Sequence, residues 1–173
     1  MRGPTRARLK STFGVAVAAA AVLVMSAAPA SADPVRGEYV GHKQGTESKI
    51  KIKKGSHNRE LTTSLLRLKV ANGQELLTYC IEINTRVQKV GYPERGWSET
   101  TLGDKARNVN WVLHHSYPYL GLGELAKGAG LSGNPSVPDA VAGTQAAIWH
   151  YSDGYNLRLG ENRPAVEAIY AYL

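Results

Sequence analysis

Cysteine is all but missing from this chain: Cys80 stands alone among 173 residues. A single thiol builds no internal disulfide framework and no Cys-rich metal site. Phenylalanine also occurs once, and methionine twice. The phosphate loop GxxxxGK[ST], the dinucleotide fingerprint GxGxxG, the zinc-protease HExxH and an acidic calcium loop are all absent. Nucleotide, zinc-protease and EF-hand chemistry therefore have no foothold. His114-His115 does not suggest a metal, because adjacent helical residues do not share a face and no further ligands accompany them. No cofactor and no metal are expected. Nor is there a Gly-X-Y period, an internal repeat or a low-complexity tract. With 43% apolar and 20% charged residues, the composition is that of a globular domain rather than a disordered chain.

Long hydrophobic runs are missing too. The longest, Phe13 to Met25, has 13 residues, short of the roughly 20 that span a hydrocarbon core. Arg2, Arg6, Arg8 and Lys10 precede it, and Ala30-Ser31-Ala32 follows as a small-residue cleavage site, so residues 1–32 read as a secretory signal peptide. No cysteine follows the run to carry a lipid anchor. Without this leader, residues 33–173 hold 17 Lys+Arg against 14 Asp+Glu, a formal +3 in place of +7. They suit one secreted domain of common size, with no transmembrane segment. The densest basic stretch, Lys43 to Lys69, has eight Lys/Arg and two Glu. Most of its lysines alternate with apolar residues, as on the solvated face of a strand whose edge lysine protects. With so small a net charge, no nucleic-acid partner is expected.

Periodicity divides the domain into an α+β fold. Glu38-Tyr39-Val40, Ser48 to Lys53, Leu61 to Val70 and Glu75 to Asn84 alternate as strands, with turns at Lys54-Gly55 and Asn72-Gly73. This β-rich part should be sandwich-like or barrel-like. Beyond a loop from Val90 to Gly103, Asp104 to His115 has helical spacing, and a short helical piece is expected around Leu122 to Lys127. Pro138 is placed to open a helix through Trp149 or Tyr151, helped by Asp139 at its positive end. Arg163-Pro164 begins a last helix that runs to the final residue with no stop signal, the pattern of a domain cut short.

Two residues could carry chemistry. On the pattern of ELLTYCIEIN, Leu77, Tyr79, Ile81 and Ile83 share one face of a strand and Cys80 lies on the more polar side. A lone thiol there reads equally as a small buried hydrophobe or as a reactive group. Gln145 shares a helix face with Val141, Ile148 and Trp149, an uncharged amide in an apolar stripe. Such a group must be satisfied, either by the backbone of a neighbouring strand or in a reaction.

Tyr79-Cys80-Ile81 on a strand, followed by Thr144-Gln145-Ala146-Ala147-Ile148-Trp149 on a helix, resembles the Cys-Gln thioester domain of Gram-positive surface adhesins, also called the TQXA domain. Asn110-Trp111-Val112-Leu113-His114 and Ser116-Tyr117-Pro118 are similar to the family as well, and the resemblance runs from about Gly37 to the end. It implies that Cys80 and Gln145 condense, with loss of ammonia, into an internal thioester that captures an amine on a host or environmental surface protein or another amine-bearing ligand. The bond would form once, without the turnover of an enzyme. Tyr79, Thr144 and Trp149, which belong to the matching motifs, are expected to orient or shield it. The resemblance also implies display on the cell wall through a sortase signal, although no LPxTG-like motif is present. His114, His115 and His150 are candidate general bases, none of them assigned. Two rival readings remain: a secreted thiol hydrolase or peptidase with Cys80 as nucleophile, and a non-covalent module binding protein or carbohydrate through its Tyr-rich loops.

Overall fold

Turn chemistry and alternation place the first strands where the sequence puts them. A computed structural model describes residues 35–173, so the expected leader lies outside the described residues. Strands β1 (Arg36–His42), β2 (Ser48–Lys54), β3 (His57–Thr63), β4 (Leu66–Val70), β5 (Glu75–Thr78) and β6 (Gly91–Pro93) precede helices α1 (Ala106–His114), α2 (Leu122–Gly128) and α3 (Val137–Asp153). Strand β7 (Asn156–Leu157) and helix α4 (Pro164–Tyr172) complete the order. The strands form two antiparallel sheets, β5-β4-β1-β6 and β3-β2-β7, so the α+β class holds.

In β2 the alternation does what it implies: Ile50 and Ile52 are each 1% exposed, and the lysines that alternate with them face outward, with Lys49 paired to Glu60 across the strands at 3.1 Å. One detail differs. β2 is the middle strand of its sheet, so its lysines do not shield an edge. The turn after β4 uses Gly73 at φ +84°, a left-handed position that glycine adopts without steric cost.

The run Leu61 to Val70 is not one strand. Leu65 is fully buried in the core, its N–H donates to Thr46 Oγ1 at 3.1 Å and its C=O accepts from Lys43 at 2.8 Å. There the chain leaves one sheet and enters the other. A buried residue keeps the hydrophobic pattern going while its hydrogen bonds go elsewhere.

Helix α3 is the centre of the domain. Ser136 caps it by accepting from the Asp139 N–H at 3.2 Å, Pro138 sits in the first turn, and Gly154 ends it in the left-handed region. Every residue from Ala140 to Trp149 is buried, the signature of a helix packed all round rather than on one stripe. One side joins Val109, Val112, Leu125 and Ile169 in the first core. The other side presents Ala142, Ala146 and Trp149 to Ile50, Ile52 and Leu157 in the second.

Small residues make this possible. At Gly143 an added Cβ would lie 2.7 Å from the Ile169 side chain and 3.0 Å from the Val166 carbonyl. In an open helix Gly→Ala gains up to about 1 kcal/mol. Here overpacking wins, and Gly143→Ala is expected to destabilise by about 1–3 kcal/mol, seen as a lower urea midpoint at unchanged slope. An unchanged or higher midpoint would show that α4 gives way freely.

Candidate functional site

Strand β5 ends at Thr78, two residues before Cys80. Tyr79-Cys80-Ile81, expected within a strand, instead forms the open segment that follows it, and the difference is chemical. A residue in a hydrogen-bonded pair of a ladder commits its N–H and C=O to the neighbouring strand. Cys80 turns both toward the side chain of Gln145. Its N–H donates to Gln145 Oε1 at 3.2 Å, and its C=O accepts from Gln145 Nε2 at 2.7 Å, across 65 residues of chain. Gln145 is 2% exposed, so this two-point pairing satisfies an amide that would otherwise be costly to bury. Of the two alternatives read from sequence for Gln145, the structure shows the first, satisfaction by backbone, and the backbone is that of Cys80 itself.

Cys80 is a half-buried free thiol. Its S–H donates to the Glu82 carbonyl at 3.1 Å. Burial pushes the thiol above its usual range; the hydrogen bond to the Glu82 carbonyl opposes this in part, and the Asp153 and Glu82 carboxylates add smaller upward effects. At neutral pH the sulfur is held as a protonated thiol.

Neighbouring contacts fix the segment. Asp153, at the end of α3, accepts from the Ile83 N–H at 3.3 Å, and Arg59 donates to Asn84 Oδ1 at 2.9 Å. The Tyr79 phenol is buried and donates to the Tyr117 carbonyl at 2.6 Å. Burial raises its pKa, against a smaller opposite effect of hydrogen bonding with Thr144, so it stays a protonated donor. Thr144 is fully buried and donates to the Ala140 carbonyl at 2.8 Å. Trp149, one turn beyond Gln145, belongs to the core cluster against which Cys80 and Ile83 pack. Tyr79 and Thr144 thus adjoin the pair along the chain with their side chains bonded to other groups, and Trp149 alone of the three shares the cluster against which Cys80 packs.

The histidines are engaged elsewhere. His114 Nδ1 lies 2.8 Å from the Asn110 carbonyl and His115 Nδ1 2.8 Å from that of Trp111. His150 Nδ1 lies 3.1 Å from both Asn156 Oδ1 and the Tyr170 hydroxyl. Sequence reasoning missed Glu82 and Asp153. Asp153 lies eight residues beyond Gln145 and so on a related helix face, the one signal that pointed to it. Among the described residues no group of three His, Cys, Asp or Glu suits a metal, and no helix is long and apolar enough to cross a membrane.

A family model described as the thioester domain matches residues 77–173, a span that contains both Cys80 and Gln145. The chain belongs to the thioester domain family. Comparison with curated proteins and with solved structures gives no match. The resemblance read from the sequence begins near Gly37, whereas the thioester-domain match begins at Leu77 inside β5 and leaves β1 to β4 outside it. The matched span therefore holds the end of β5, the Cys80 segment, β6, the helices and β7.

Proposed function

We propose that this thioester domain is secreted and displayed on a Gram-positive cell surface, where an internal bond between Cys80 and Gln145 captures an amine on a partner covalently. The observation that carries the reading is the two-point pairing of the Gln145 amide with the Cys80 backbone. Leader and family resemblance support export and adhesion.

In the forming step, the Cys80 sulfur attacks Gln145 Cδ. The C–S bond forms, the C–N bond breaks, and Nε2 departs as ammonia with the thiol proton. The pairing prepares this step in two ways. It holds the carbonyl beside the residue that bears the sulfur, and the Cys80 N–H already points at the oxygen on which negative charge collects. Because the thiol is protonated in the folded site, the arrangement relies on proximity and orientation rather than on a stabilised thiolate.

In the capture step a partner's amine attacks the same carbon. The C–N bond forms, the C–S bond breaks, and the amine's proton passes to the leaving sulfur, regenerating the Cys80 thiol. One bond per molecule results, with no turnover. A hydrolase reading draws no support from the site, because burial raises the thiol pKa and the three histidines are bonded to other groups.

Intact-mass analysis of the secreted chain tests the proposal. The expected mass is one ammonia below that of the leaderless sequence, with Cys80 resistant to alkylation until methylamine is added. Methylamine should then restore a labelled thiol and leave an N-methylated Gln145. A full mass with a readily alkylated Cys80 would overturn the proposal.

A further inference from the structure

Gln145 is almost inaccessible, and the helix that carries it is buried from Ala140 to Trp149. The open side of the pair is Cys80, which lines a groove of about 330 Å³. That volume is at the small end of the ~300–1,000 Å³ typical of ligand pockets, and far more than a bare methylamine needs. Leu68 of β4, Ile81, Val87 and Tyr92 make its wall largely apolar, and Glu82 and Arg86 are the charged residues that line it.

The charges are placed unequally. Glu82 follows Cys80 by two residues and lines the groove with it, its carboxylate held by the Thr85 hydroxyl at 2.6 Å and the Thr101 hydroxyl at 3.2 Å. An ammonium approaching the pair therefore meets negative charge at the reacting end. Arg86 is exposed and repels a second cation, which argues against a polyamine as the occupant. An apolar wall has nothing to bind on a simple amine, but it suits a side chain next to the one that reacts.

We propose that this groove is the acceptor subsite: it seats a polypeptide segment whose lysine reaches Gln145 past Glu82 while an aliphatic or aromatic neighbour of that lysine packs on Leu68, Ile81 and Val87. The proposal rests on the thioester reading above and names the class of partner. The captured group is a lysine beside an apolar residue, with no further positive charge toward Arg86.

The test compares rates of adduct formation, followed by intact mass, for methylamine and for two blocked peptides in which lysine is flanked by Leu or by Ser. The Leu peptide should react at least about tenfold faster than the Ser peptide, the scale of discrimination an apolar pocket provides. Val87→Trp, which fills the groove, and Val87→Ser, which removes part of its wall, should each lower the ratio of the Leu-peptide rate to the methylamine rate. Equal rates for the two peptides, or an unchanged ratio in both variants, would overturn the subsite. If methylamine itself fails to add to the unmodified protein, the thioester reading falls first and the subsite with it, a different result from loss of selectivity alone.

Discussion

Replacing Cys80 by Ala is expected to leave a folded domain that forms no covalent adduct with any amine. Gln145 in this variant keeps a primary amide, a poor acyl donor, and has no sulfur with which to exchange it. Folding should survive, because the groups that hold Gln145 are the N–H and C=O of residue 80 rather than its side chain. The loss should be complete on intact-mass analysis after incubation with methylamine or a lysine peptide, while the unsubstituted protein gains one amine per molecule. Adduct on the Cys80→Ala protein would place the electrophile elsewhere and end the assignment of Cys80 and Gln145.

Opening the bond should also weaken the domain. The proposed cross-link would join residues 65 apart, and the chain-entropy account of loop closure gives about 4 kcal/mol for a ring of that size, reduced by any strain in the bond. For a domain of this length that corresponds to a fall of about 10 °C in Tm. Methylamine treatment should produce it, and Cys80→Ala should melt near the treated protein because both lack the ring. Calorimetry on the three forms measures this. Equal melting temperatures for the closed and opened forms would show that the link serves capture alone.

Much of the fold was legible because local signals and burial agree in it. Lys54-Gly55 and Asn72-Gly73 mark true turns, β2 alternates as a half-buried strand must, and Pro138 with Asp139 opens α3 one residue after its first position. Gln145 stood out because a polar amide in an apolar stripe requires a partner, and it has one. The failures share a cause. Hydrophobic periodicity reports which side chains are buried and says nothing about where the backbone bonds go. Tyr79 is 6% exposed and Leu65 fully buried, so both prolong a strand pattern where no ladder exists. That gap hid the feature of Cys80 that matters most, its unladdered backbone. β6 and β7 had no local signal because their partners, β1 and β2, lie far off in sequence. The single stripe assigned to α3 was too narrow, since its alanines and Gly143 are buried by close approach of neighbours rather than by bulk.

The position of α3 between two cores has a mechanical consequence. A ligand bonded at Gln145 would tug on a residue midway along that helix, not on a surface loop. Traction on such a tether would be spread at once into the β2 sheet on one flank and α1 and α4 on the other, so drawing the anchor out would require shearing both packed layers together.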